Sequence, residues 1–304
     1  MKKSNWVYWL EYAPIWVTLK LFRPLPLPQR ARVIGWLLSK LILLAPSKSG
    51  RAMSNLQIAF PNMSKQERWK ITTQAAYYIG QTLTELFNLD EYMASNPKME
   101  ATGAGLESMK EALTEGKGVV IVSAHLGQWQ AMRWEIQKYA KSIGAVYKPN
   151  NNPYYEKIFY AAMTHDGSTL YAKGTDQVRD MIKAAANGEA IVILSDQRFR
   201  KGDLIPFFGR NAYTSTAPAG IGLKLGIPVI PVFCIRQDWG IEAEFEAPIP
   251  HGDPVEMMQQ YHRMLEQRIK DYPDQWYWFH NRWDGVPKDQ QLPAQDSSVD
   301  RVNG

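Results

Sequence analysis

His125 closes the run Val119-Val120-Ile121-Val122-Ser123-Ala124 and is followed by Leu126-Gly127-Gln128-Trp129-Gln130. A β-branched apolar run that stops at an imidazole reads as a buried strand delivering a side chain to its C-terminal mouth. In open α/β sheets the loops leaving that edge form the ligand crevice, and the next helix offers free N–H groups at its start. An imidazole placed there can act as a general base; a hydrogen-bonded structural histidine is the plainer alternative. Asp196 ends a second apolar run, Ile191-Val192-Ile193-Leu194, and so falls at the same sheet edge.

Other chemistries lack their residues. The five histidines, at 125, 165, 251, 262 and 280, form no HxxxH pair, and the single cysteine, Cys234, excludes an internal disulfide framework and a zinc-ligand pattern. No metal site and no cofactor are expected. A serine hydrolase would need a GxSxG nucleophile elbow, which does not occur.

The elements that must position His125 follow from the pattern of the chain. Strands are expected near 119–124, 143–147, 168–171, 190–195 and 228–235, with helices near 127–141, 153–164, 175–187 and 215–225. This alternation predicts an α/β fold with a mainly parallel central sheet flanked by helices. A helix over 64–92 opens on the capping-box pattern Ser64-Lys65-Gln66-Glu67, residues 241–247 alternate as an edge strand, and 254–271 form another helix. With 304 residues, 45% of them hydrophobic, the chain is long enough for a sizeable core.

Charge is uneven. Residues 1–54 hold nine Lys or Arg against Glu11 alone, a net of +8, while the remainder holds 26 basic and 29 acidic side chains, a net of −3. The same segment carries Trp6, Tyr8, Trp9, Tyr12, Trp16 and Trp36 among Leu, Ile and Val. Aromatic rings favour the headgroup level of a bilayer and basic side chains are drawn to anionic lipid, so the partner is a membrane surface and no nucleic acid is expected. Glu11, Pro14, Lys20 and Lys40 interrupt the apolar stretches, which argues for an amphipathic, interfacial helical anchor or one short tilted span; hydrophobic core helices with snorkelling bases are the alternative. No signal-peptide cleavage pattern follows. Three parts result: an anchoring segment over 1–54, an α/β domain over 55–284, and a polar tail over 285–304 expected to be disordered.

Four further stretches join His125 in order: Asn55-Leu56-Gln57-Ile58-Ala59-Phe60-Pro61, Tyr147-Lys148-Pro149-Asn150-Asn151-Asn152-Pro153, Ser195-Asp196-Gln197 leading to Pro206-Phe207-Phe208-Gly209, and Asp274-Gln275-Trp276-Tyr277-Trp278-Phe279-His280-Asn281-Arg282-Trp283. Over about residues 30–284 the chain resembles the late acyltransferases of bacterial lipid A biosynthesis, the lauroyl and myristoyl transferase group of the lysophospholipid acyltransferase superfamily. The resemblance implies transfer of a fatty acyl chain from acyl carrier protein or coenzyme A to a hydroxyl of a membrane glycolipid, on the cytoplasmic face of the inner membrane. Glycerophosphate acyltransferases of the same superfamily usually carry NHxxxxD and EGTR-like motifs; here Ala124 precedes His125 and no such tetrad follows.

The family pairs its histidine with an acid as HxxxxD or HxxxxE, and in this chain Gln130 holds the second position. If a loop brings Gln130 to His125, its amide oxygen can accept a hydrogen bond but brings no charge for the imidazolium. That leaves open a lipid-binding relative of low turnover, and an acyltransferase with another amphipathic lipid as acceptor. Asp196 is the alternative orienting group, or else a cap. Lys148 stands where the family usually has arginine, as a point charge for a phosphate or a developing oxyanion, or as a solvated turn lysine. Gln197, Arg198, Arg200, Lys201 and Arg210 surround the Phe207-Phe208 turn, where cations could receive acyl carrier protein or sugar phosphates and the rings could line an acyl groove. Arg282 is a further binding candidate, and the rest of the 276–283 block reads as packing.

Overall fold

Side chains alternate across the central strands, and this alternation divides the interior into two cores. The computed structural model describes residues 3–174 and 176–291. Helices α1 (Asn5–Leu21), α2 (Leu27–Leu41), α3 (Pro46–Ala59), α4 (Lys65–Leu86) and α5 (Leu89–Ala94) precede the sheet. Then follow β1 (Met99–Thr102), α6 (Ala104–Thr114), β2 (Val119–Ser123), α7 (Met132–Ile136), β3 (Ile143–Tyr147), α8 (Pro153–Thr164), β4 (Thr169–Ala172), α9 (Gln177–Ala186) and β5 (Ala190–Leu194). The chain continues through β6 (Asp203–Phe207), β7 (Arg210–Thr214), α10 (Ala217–Leu225), β8 (Val229–Gln237), β9 (Gly240–Phe245) and α11 (Pro254–Asp271).

Seven strands form one sheet in the order β1-β9-β8-β2-β5-β3-β4. All neighbours are parallel except β8 and β9, so the sheet is mainly parallel as its alternation with helices requires. Val120, Val122, Ile191 and Ile193 enter the core beneath α9, α10 and α11, while Val119, Ile121, Ala190 and Val192 enter the opposite core with Met109, Met132 and Met163. Burial on both faces explains why these strands read as continuous apolar runs.

Three expectations need correction. The 241–247 stretch is not an edge strand, because β1 pairs outside β9. The 127–141 stretch is mostly turn, with α7 as its only helix, and 64–92 breaks after α4 before α5 begins. The β6–β7 hairpin is additional; Pro206 within β6 and a turn through Phe208 at φ 49° mask it, since a bulky residue there is not a usual hairpin signal.

The capping box at the start of α4 is present as expected: Ser64 accepts from the Glu67 amide while Glu67 receives the Ser64 amide. α2 crosses α4 so closely that a Cβ on Gly80 would lie 2.8 Å from the Gly35 Cα. Arg30, 3% exposed, ties the preceding turn to the domain by donating to the carbonyls of Phe22, Arg23 and Leu25 and to Asn88 and Glu91. α1 rests on α8 through Tyr12, which stacks on Tyr154, and through Asn152, which donates to the Tyr8 carbonyl at 2.7 Å. Its outward side shows Trp6, Trp9, Leu10, Trp16, Val17 and Leu21. Among the described residues no helix is long and apolar enough to cross a membrane. At the other end, Lys288–Gln290 form a short 3-10 turn whose Gln290 carbonyl receives Asn211, and tail residues 292–304 lie outside the described residues.

Candidate active site

Parallel β2 and β5 end side by side, with Ser123 registered on Leu194, and the residues just beyond them meet. Asp196 receives the His125 ring at Nδ1 (2.9 Å), the His125 backbone amide (3.0 Å) and the indole N–H of Trp276 (3.0 Å). The Asp196 side chain is 1% exposed and the His125 ring 24%, so the carboxylate is sealed while the imidazole keeps an open side. Burial pushes the Asp196 carboxyl up, but its electrostatic interaction with the His125 ring and the bonds from His125 and Trp276 outweigh it and hold the carboxyl below the usual range. An ionised Asp196 only accepts, so Nδ1 carries the hydrogen and Nε2 is left to take a proton. Gln197 approaches the same Nδ1 at 3.4 Å, too far to compete. Trp129 and Tyr277 flank the ring, and the Tyr277 amide donates to the His125 carbonyl at 3.0 Å.

The loop after His125 is fixed by backbone bonds to other elements, which is why no helix starts there. The Gly127 amide donates to Gln275 and the Gln128 amide to Cys234, at 3.0 and 2.9 Å. Gly127 has φ 59°, and a Cβ there would lie 2.1 Å from the Cys234 carbonyl oxygen, so both conformation and space demand glycine. Beneath the loop, Glu85 of α4 receives Arg236 of β8 and the Gln128 amide group, and Thr82 donates to the Gly127 carbonyl at 3.2 Å. Gln275 completes the brace by exchanging hydrogen bonds with the Arg236 backbone, each 2.9 Å.

This geometry corrects the pairing expected at position 130. The Gln130 amide oxygen receives Arg133 Nη1 at 3.2 Å, and Arg133 in turn binds Asp166 at 2.6 Å. The tight turn at 128–131 directs the side chain to Arg133, and the carboxylate on the ring comes from the neighbouring strand instead.

Other expected binding residues divide by accessibility. Lys148 is exposed just past β3, at the same edge as His125. Arg198 is half-buried, its guanidinium paired with Asp284 and its amide donating to His280 Nε2 at 2.9 Å. Arg200, Lys201 and Arg210 are exposed. Phe207 and Arg282 are both fully buried and have no surface to line a groove or hold a substrate. Phe207 packs between Trp283, Trp276 and His262, and Arg282 lies over its ring while donating to Tyr213, Thr214 and His262. Phe208 is half-buried against Phe60.

Trp276 and the Glu85–Arg236 brace are the positioning groups that sequence reasoning missed. Trp276 sits in an aromatic block that reads as packing, and only an indole N–H aimed at a buried carboxylate distinguishes it.

The family model for bacterial lipid A biosynthesis acyltransferase matches residues 2–284. The chain is 24% identical over 293 residues to the lipid A biosynthesis palmitoleoyltransferase of Escherichia coli (strain K12), covering 93% of this chain and 92% of that one. It is 25% identical over 300 residues to the lipid A biosynthesis lauroyltransferase of the same organism, covering 93% and 94%. A shorter similarity, 20% over 185 residues, covers 59% of this chain and 58% of the phosphatidylinositol mannoside acyltransferase of Mycobacterium tuberculosis.

Proposed function

The chain belongs to the bacterial lipid A biosynthesis acyltransferase family and is an enzyme that transfers acyl groups, and from that premise we propose that His125 is its general base. The reaction is transfer of a fatty acyl chain from a thioester donor, acyl carrier protein or acyl-CoA, to a hydroxyl of a lipid A precursor or related membrane glycolipid. The carrying observation is the 2.9 Å bond from His125 Nδ1 to a sealed Asp196, which leaves Nε2 on the open side of the ring.

A hydroxyl is a poor nucleophile at neutral pH, so Nε2 takes its proton as the oxygen attacks the thioester carbonyl. Asp196 holds the tautomer and stabilises the imidazolium that forms. Collapse of the tetrahedral intermediate restores the carbonyl as an ester and expels the thiolate, which takes the proton from Nε2. His125 and Asp196 are thus unchanged after a cycle, and no acyl-enzyme is needed. An uncharged Gln130 does not leave the ring without a negative charge, because Asp196 lies on it from the neighbouring strand.

A membrane seat fits the exposed side of the N-terminal helices. Trp36, Leu41, Leu43 and Leu44 are exposed, as are the outward residues of α1, and Arg23, Arg32, Lys40 and Lys48 are exposed in the same N-terminal segment. Such a surface suits insertion at the cytoplasmic face of the inner membrane, where a soluble donor and a lipid acceptor meet.

Purified protein should transfer a labelled acyl chain from one of the two donors to a lipid A precursor, read by mass spectrometry, and His125→Ala should not. Equal product from both proteins would remove His125 from the reaction.

A further inference from the structure

Along the edge where His125 meets Asp196, the strand order β2-β5-β3-β4 carries two more cations: Lys148 directly after β3 and Lys173 directly after β4. They are register neighbours, since Tyr147 pairs with Ala172 and the Lys173 amide donates to the Tyr147 carbonyl at 2.8 Å. Lys173 is exposed as a residue, but its ammonium group rests on an aromatic ring. Its Nζ lies 4.1 Å from the centre of the Phe199 ring, and Phe199 follows Asp196 on the loop leaving β5. Because β3 stands between β4 and β5, this contact links the segment after β4 to the loop after β5, with the strand that bears Lys148 between them in the sheet.

Burial, and then the charge of Lys148, hold the Lys173 ammonium below the ordinary lysine range. Two other cations near the site are held by carboxylates, Arg198 by Asp284 and Arg133 by Asp166. Among the described residues neither Lys148 nor Lys173 is ion-paired with a carboxylate. Two neighbouring ammonium groups without a counter-charge repel each other, and a phosphate anion between them turns that cost into binding energy.

We propose that Lys148 and Lys173 form a two-lysine clamp for a phosphate group, with Phe199 as the platform that aims Lys173. The phosphate comes either from a phosphorylated glycolipid acceptor or from the phosphopantetheine arm of the thioester donor, and this choice rests on the acyl-transfer reading above. The clamp itself does not depend on turnover.

The decisive probe is inorganic phosphate, titrated into full-length protein in detergent with ¹³C-labelled lysine and followed by the Lys173 Cε resonance. Phosphate should raise the pH midpoint of Lys173, and the response should vanish in Lys148→Ala while the thermal melting point is kept. A Lys173 midpoint that ignores phosphate overturns the clamp, whether or not the protein transfers acyl chains. Kinetics then identify the source. Lys173→Ala should raise KM about tenfold, ~1.4 kcal/mol, for the partner that brings the phosphate. A rise confined to a phosphorylated acceptor, absent with its dephosphorylated form, assigns the acceptor; a rise in donor KM with either acceptor assigns the donor. Lys173→Arg should recover most of the loss, and unchanged KM values for both partners in Lys173→Ala would exclude a role in substrate binding.

Discussion

His125 and His262 are the same side chain built into opposite environments. His125 gives Nδ1 to a carboxylate and keeps Nε2 on an open side. His262 is 1% exposed, with Nδ1 on the Pro206 carbonyl at 2.8 Å and Nε2 receiving Arg282 at 3.1 Å. Burial first, then the Arg282 charge, push His262 down to about 3. Arg282 is itself lowered by burial to about 10 and stays charged near neutral pH. In the proposed reaction His125 gains a proton, whereas His262 is held neutral and serves as an acceptor for a buried cation. The partner at Nδ1 and the freedom of Nε2 distinguish them.

The largest expected effect breaks the first ring. His125→Ala should lower turnover by about 10⁴-fold, near the upper range for loss of a general base, with little change in melting temperature because the ring is partly exposed. A steady-state acyl-transfer assay beside a thermal melt checks both halves. Breaking the second ring should do the reverse. His262→Phe removes the acceptor for Arg282 and the donor to Pro206, so folding should weaken by about 1–3 kcal/mol while turnover per folded molecule stays within about twofold. Urea unfolding with activity scaled to folded protein would detect a failure.

Stability against pH sharpens the contrast. The folded pKa of His262 lies below its unfolded value of 6.5, so the unfolded chain takes up a proton that the folded chain refuses. Its contribution is therefore present above about pH 6.5 and lost as pH falls toward about 3. His280, lowered chiefly by burial to about 4 and accepting from the Arg198 amide, acts with the same sign over a narrower window. Each group should remove up to about 1.4 kcal/mol per pH unit while only the unfolded chain titrates. Urea midpoints should fall between about pH 6.5 and about pH 5, less steeply in His262→Phe; equal slopes would show that His262 is not held neutral.

The smallest effect concerns position 130. Gln130→Glu should leave turnover within about twofold, because the new carboxylate would face Arg133 rather than the His125 ring. A large gain in the acyl-transfer assay would mean that residue 130 reaches the imidazole after all.

Strands that must be apolar on both faces were legible in the sequence, and β3, α8 and α11 begin and end where the residue pattern places them. Composition also marked the edge at which His125 and Asp196 fall. Two kinds of feature were hidden. The loop after His125 takes its shape from bonds to Cys234 and Gln275, more than 100 residues away, so local helix propensity misled. The aromatic block at 276–283 looks uniform as a string, yet Trp276 serves the site and Arg282 serves the core, and only three-dimensional partners separate them. The spacing HxxxxQ likewise invited a pairing along the chain, where the fold supplies one across strands.

The most direct test of that cross-strand pairing is the turnover of Asp196→Asn, a nearly isosteric change that keeps an acceptor for the Trp276 indole while removing the charge. Turnover should fall by at least about 10²-fold, with KM for donor and acceptor little changed and the protein folded by circular dichroism. Asp196→Asn protein that turns over at the wild-type rate would contradict the assignment of Asp196 as the group that makes His125 a base.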